Sequence, residues 1–125
     1  IGPAGRSVVI AKTRSPYLTQ VAQALTNLKQ LSRELLERRG VPVPPCVLLD
    51  ERDLDGPSGM EQARTCLREW HAVVVKPNSG NRALGVNVDI RDEDTLARAV
   101  AWARELDRDE EVVIEPFIPG MDLRI

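Results

Sequence analysis

Two short apolar runs each close on a charged side chain: Ala72-Val-Val-Val-Lys76 and Val112-Val-Ile-Glu115. Runs this short, and this rich in β-branched residues, read as buried strands rather than helices. Such a strand carries its terminal charge to the edge of a packed sheet, where a lone charge is costly unless something of opposite sign meets it. An unpaired Lys76 would be under strain, so its removal is expected to stabilise the ligand-free protein slightly.

The segments around these runs alternate between strand and helix patterns. Cys46–Leu49 reads as a strand and Asp50–Gly56 as a charged loop. Ser58 with Glu61 has the form of a capping box, opening a helix with Met60, Ala63, Leu67 and Trp70 on one face. After the Lys76 strand comes a polar loop, Pro77–Gly85, then the alternating strand Val86–Ile90. Asp92, Glu93 and Asp94 crowd the positive end of a further helix, whose core face carries Leu96, Val100, Ala103 and Leu106. Glu111–Glu115 is a strand, Pro116–Gly120 a turn, and Asp122–Ile125 the start of another strand. The short link between Lys76 and Val86 suits a hairpin. The expected fold is α+β: a small, mostly antiparallel sheet with helices on one face.

Ahead of this unit, Arg6–Ala11 reads as a strand and a helical pattern begins at Leu18. Asn27 with Gln30 suggests a break and a second cap. The following helix, Leu28–Arg39, has the stripe Leu28, Leu31, Leu35 and Leu36, and Gly40 is its stop. Val41-Pro-Val-Pro-Pro45 is stiff and extended. The expected division is therefore 1–40, a leading strand with helices, and 41–125, the sheet-bearing lobe.

At 125 residues and 42% hydrophobic, the chain can bury one real core. Its net charge of -2 argues against a nucleic-acid surface. No apolar run is long enough to cross a membrane. Cys46 and Cys66 are read as two buried thiols of a cytoplasmic protein, and no metal-ligand spacing occurs. The chain starts without Met and ends inside a strand pattern, so it is expected to be part of something longer. An open edge at Asp122–Ile125 would favour self-association into a homo-oligomer.

Three of the 17 basic residues are lysines: Lys12, Lys29 and Lys76. A lysine is a compact point charge suited to phosphate, so in an arginine-rich chain each one draws notice. The loop after Lys76 holds Ser79, Gly80, Asn81, Arg82 and Gly85, and its amides could close over phosphates. An ordinary hairpin loop with a snorkelling lysine is an equal alternative. Glu115-Pro-Phe-Ile-Pro-Gly-Met-Asp122 is an extended segment with apolar neighbours, able to hold a planar base, while Asp122 could accept ribose hydroxyls. A strand end with solvated acids is the plainer reading of that segment.

Taken together, GVPVP from Gly40, VVVKPNSGN around Lys76, LGVNV from Leu84 and VVIEPFIPG around Glu115, followed by Asp-Leu-Arg, resemble the ATP-grasp ligases. The likeness runs from about Leu18 to Ile125 and is nearest to cyanophycin synthetase and the glutathione-synthase module of bifunctional enzymes. It implies the nucleotide-binding lobe of an ATP-dependent carboxylate–amine ligase working through an acyl phosphate. It further implies phosphate contacts from Lys29 and Lys76, and a loop of Ser79, Gly80, Asn81 and Gly85 over the phosphates. Glu115 would lie at the adenine amino group, Pro116, Phe117 and Ile118 at the base, and Asp122 at the ribose. Arg124 could anchor a substrate carboxylate. The partners implied are ATP with Mg²⁺ and an amino-acid or peptide substrate, the metal ligands being expected outside this chain, which alone would then be inactive. Leu28 departs from the family, where Asp often precedes the lysine. A nucleotide-binding module without catalysis, and a small interaction domain, are the competing readings.

Overall fold

The computed structural model describes Tyr17 and residues 19–80 and 82–120. The expected strand Arg6–Ala11, Lys12, Asn81, and the segment with Asp122 and Arg124 lie outside the described residues. The described elements are α1 (Gln20–Thr26), α2 (Lys29–Arg38), β1 (Val47–Leu49), α3 (Glu51–Asp55), α4 (Pro57–Trp70), β2 (Val73–Pro77), β3 (Asn87–Ile90), α5 (Glu93–Leu106) and β4 (Val112–Pro116).

The four strands form one sheet in the order β1-β4-β2-β3, and every pairing is antiparallel. The hairpin expected between the Lys76 and Val86 strands is present, with a register irregularity between Val73 and Val75. In the central pair, Val75 sits opposite Ile114, Pro77 opposite Val112, and Lys76 opposite Val113. Successive strand residues point to opposite sides. Val73, Val75, Val112 and Ile114 therefore share one side, where α4 and α5 cover them with Ala63, Cys66, Leu67, Leu96, Ala99, Val100 and Ala103. Burying each large aliphatic side chain there contributes about 1.5–3 kcal/mol. Val74, Lys76, Val113 and Glu115 fall on the other side, which these two helices do not cover.

Local chemistry corrects several expectations. Asp50–Gly56 is not a loop: Asp50 caps α3 in a reciprocal box with Asp53, and Glu51 and Asp53 favour the positive helix end. Ser58 is not the cap of α4, which starts one residue earlier at Pro57, a residue pre-set for a first helical turn. Asn27 does not cap α2 either; it ends α1, and α2 begins after Leu28, which makes no side-chain cap bond. Gly40, at φ +74, closes α2 in the left-handed conformation glycine adopts without cost. The leucine stripe of α2 does not join the core: no residue of α2 is buried, and Leu35 and Leu36 remain exposed beside a groove shared with α1. Leu106 is likewise part exposed at the end of α5. Of the two thiols, both free, only Cys66 is fully buried.

Candidate functional site

The site lies on the side of the sheet away from α4 and α5, where β2 and β4 deliver the charges that closed their apolar runs. Lys76 and Glu115 meet there: Lys76 Nζ donates to Glu115 Oε1 at 2.5 Å, with both side chains only about a fifth exposed. The register explains the meeting. Lys76 is opposite Val113, and Glu115 is the next residue of β4 on the same face, a diagonal pair within reach of long side chains. Lys76 is thus not the unpaired cation expected from sequence, and removing it would leave Glu115 without its partner rather than relieve strain.

Two adjoining cavities open around this pair. One, of about 360 Å³, is lined by Lys29 and Arg33 of α2 together with Pro44, Cys46, Lys76 and Glu115. Three cations and one carboxylate line it, so an anion is the ligand it suits. The other, of about 400 Å³, lies between Val74 and Val88 on the sheet, with Val86 just before β3, and Pro116 at the end of β4 with Phe117 and Ile118 beyond it, so that Pro116 closes the strand rather than opening the expected turn. It is an apolar cleft with Lys76 and Glu115 at its polar end. Pro44, Lys76 and Glu115 border both cavities.

Lys29 approaches from the side. Its ammonium donates to the carbonyls of Asn78 at 3.3 Å and Ser79 at 2.9 Å, and reaches that of Gly80 at 3.5 Å. Burial, then the neighbouring charge of Lys76, lowers its pKa below the ordinary lysine value, and Asp107 offsets part of the shift. Arg33 donates from Nε to the Pro44 carbonyl at 2.9 Å, which fixes the stiff proline segment against α2. Cys46 Sγ donates to Gln30 Oε1 at 2.9 Å, and burial is the largest cause holding its thiol pKa above the usual range.

The loop after β2 is built on a buried acid. Asp107, 6% exposed, accepts the Ser79 amide on Oδ2 at 2.5 Å and the amides of Asp109 and Glu111 on Oδ1. Burial alone would raise its pKa, but these amide hydrogen bonds outweigh it and hold the carboxyl below the usual range. Ser79 also accepts from the Arg108 amide through Oγ, so its polar groups serve the loop base in this state. Gly80, at φ +91, has open space around it. Gly85, at φ +74, packs so closely that an added Cβ would lie 2.8 Å from Pro77 Cγ; its evident role is to let the loop return over β2.

Of the residues singled out from sequence, the fold gathers Lys29, Lys76, Glu115, Pro116, Phe117 and Ile118 around the two cavities. Ser79 and Gly80 adjoin through the Lys29 contacts, and Gly85 sits apart as a packing residue. The Phe117 amide donates to the Ala72 carbonyl at 2.9 Å, so it is used in extending the central β2–β4 pairing. Asn81, Asp122 and Arg124 lie outside the described residues. Sequence reasoning missed Asn78 and Asp107, the two buried polar residues of the described chain. Their signal was a polar residue directly after a buried strand and an acid directly after a helix; only tertiary contact reveals what they hold. Among the described residues no cluster of three His, Cys, Asp or Glu could hold a metal ion.

No family model matches the chain. Relatives do. It is 28% identical over 105 residues to the D-alanine–D-alanine ligase of Synechococcus sp. (strain JA-3-3Ab), a match covering 84% of this chain and 30% of that one. It is 28% identical over 97 residues to the cyanophycin synthetase of Trichormus variabilis, covering 78% of this chain and 10% of that one. Among solved structures, the D-alanine–D-alanine ligase of Helicobacter pylori superposes with a TM-score of 0.66 at 31% identity, over 80% of this chain and 28% of that one. The chain thus spans under a third of the length of each of these proteins.

Proposed function

From membership of the ATP-grasp ligase family, to which this chain belongs, we propose that it forms the ATP-binding lobe of an ATP-dependent carboxylate–amine ligase. The observation that carries the reading is the convergence of Lys29, Lys76 and Glu115 on one opening, with an apolar slot directly beside it. A nucleotide has that same division: an anionic chain, and a flat base with an amino donor. Lys29 and Lys76 supply charge for the phosphates, and Glu115 an acceptor for the base amino group. Val74, Val86, Val88, Phe117 and Ile118 bury the ring faces. Lys76 is held by Glu115, so its ammonium is already positioned at the opening.

The reaction proposed for the whole protein moves the γ-phosphoryl group of ATP onto a substrate carboxylate, releasing ADP. An amine then attacks the acyl phosphate, forming the amide and releasing inorganic phosphate. The lobe's contribution is positioning and charge neutralisation, which dominate phosphoryl transfer. Mg²⁺ accompanies the nucleotide in this reading. Peptide-bond formation between amino acids is the substrate class favoured, since one relative is named as a D-alanine–D-alanine ligase. Ser79, Gly80 and Asn81 are proposed as the moving cover over the phosphates, and Asp122 and Arg124 as ribose and substrate contacts. Residues 41–125 form the lobe and 1–40 its approach; the protein works in the cytoplasm, and this lobe alone has no ligase activity.

Calorimetric titration of the full-length protein with Mg-ATP tests the reading. Lys29→Gln and Lys76→Met should each weaken binding by about one to two powers of ten, the value of a charge-assisted phosphate contact. Equal affinities in wild type and both variants would remove the nucleotide from this cleft. ADP release dependent on an added amino-acid pair separates a ligase from a module that only binds.

A further inference from the structure

We propose that Asn78 is a positioning residue of the nucleotide site: it supplies the missing cap of α2 from across the molecule and so fixes Lys29 relative to Lys76. Its ligand rests on the ATP reading above; the docking rests on hydrogen-bond geometry alone.

A helix start leaves amides without partners, and a polar side chain just before the helix usually meets them. Leu28 has the extended backbone of a cap residue, φ -98 and ψ 107, but no acceptor to offer. Asn78, 49 residues along the chain from Lys29, does the work instead. Its carbonyl accepts the Lys29 amide at 3.0 Å, and its Oδ1 accepts the Gln30 amide at 2.9 Å. Asn78 is itself held: its amide donates to the Glu111 carbonyl at 3.1 Å, and its Nδ2 donates to the Glu111 carboxylate at 2.5 Å. The residue is 5% exposed and all four of its polar groups are used.

The consequence is positional. Asn78 stands two residues beyond Lys76, at the end of β2, and grips the first turn of the helix that carries Lys29. The Lys29 ammonium then falls on the Asn78 and Ser79 carbonyls. One residue thus registers both cations against one loop, its main-chain carbonyl meeting Lys29 and its side chain tying the Gln30 amide to Glu111. A helix capped locally would be as stable, but nothing in its own sequence would set its distance from β2.

Separating cap from register needs a second cap. Leu28→Ser restores a local acceptor for α2 without adding charge near Lys29. In the full-length protein, Asn78→Leu should lower the melting temperature by several degrees and weaken Mg-ATP binding roughly tenfold. The double variant Leu28→Ser/Asn78→Leu should regain the melting temperature but not the affinity. Affinity that returns together with stability, or that never falls in Asn78→Leu, overturns the proposal. Should Asn78→Leu fail to fold, Asn78→Ser carries the same comparison. Amide hydrogen exchange gives a readout without ligand: Asn78→Leu should speed exchange at Lys29–Gln30 and at Ser79–Gly80 together, and the double variant should slow only the first. Acceleration confined to α2 would also overturn it. A wild-type protein that binds no ATP would sink the ATP reading instead, and the exchange data would still decide the role of Asn78.

Discussion

The two sides of the central strand pair are made from interleaved residues of the same ten-residue sheet core, yet they do different work. Val73, Val75, Val112 and Ile114 face α4 and α5 and are sealed from water. Val74, Lys76 and Glu115 face the other way and border the two cavities. Strand alternation alone makes the division, because a residue and its neighbour cannot share a side. The comparison teaches where to look for a site in a small sheet. It is on the side where the apolar pattern admits charges, and the charges come in pairs because strand register brings them together.

The sharpest way to break the comparison is to injure the covered side. Ile114→Ala removes three buried carbons from a residue with no exposure, opposite Val75. The expected loss is about 2–5 kcal/mol, the usual cost of Ile→Ala in a core. Urea denaturation measures it. Affinity for Mg-ATP at low temperature, where the variant is still folded, should stay near wild type; a large loss would mean that the two sides are not separable.

Next in size is the acid beneath the loop. Asp107→Asn keeps one acceptor but sets an amide donor near the Ser79 N–H, and should cost about 1–3 kcal/mol. The pH dependence follows from the lowered pKa. A depressed folded-state value means the contribution is fully present above the unfolded aspartate pKa and is lost as pH falls through the folded one. Wild type and Asp107→Asn should therefore converge in stability only in strongly acid solution. Convergence near neutrality would assign the effect to another group.

On the open side, Lys76→Met should cost about 1 kcal/mol, because it leaves Glu115 part buried without its partner. The sign is the informative quantity. A gain in stability would show that the ion pair costs more to bury than it returns, as sequence reasoning supposed for an unpaired lysine. The same variant should lose more in Mg-ATP affinity than in stability, whereas Ile114→Ala should do the reverse.

These contrasts also show what was legible in the sequence. The strands around Lys76 and Glu115 were readable because β-branched runs with a terminal charge have few other uses. The antiparallel hairpin followed from loop length, and the start of α5 from the acids Asp92, Glu93 and Asp94 at its positive end; that Asp92 caps it by accepting the Thr95 amide is a finding of the structure. The residues of the candidate site came from motif order more than from any single residue. What failed was local punctuation: Ser58 and Asn27 had the look of caps, but helix starts were decided by Pro57 and by Asn78, the latter through a contact no local pattern encodes. The pairing of Lys76 with Glu115 was hidden for the same reason, since it depends on the register of strands 39 residues apart. Helix α3 was missed because five mostly charged residues carry little periodicity, although its capping box was present at Asp50 and Asp53.

The smallest effect expected is also the most specific to the open side. Burial and the charge of Lys76 lower the Lys29 pKa, with Asp107 opposing them. For a base whose folded-state pKa is lowered, the charged form carries a folding cost, present at low pH and relieved as pH rises toward the unfolded value. Lys29 therefore makes the ligand-free chain slightly more stable in alkaline solution. Nucleotide binding runs the other way, because it uses the ammonium that is being lost. As pH rises from neutrality toward the ordinary lysine range, Mg-ATP affinity should fall while ligand-free stability does not. Lys29→Arg keeps its charge throughout, so its affinity should show a flatter pH profile even if its value at neutral pH is lower. Titrations of wild type and Lys29→Arg across that interval measure the difference in slope. Parallel slopes would show that the pH dependence belongs to another group, and that Lys29 spends its charge on the carbonyls of Asn78 and Ser79 rather than on a phosphate.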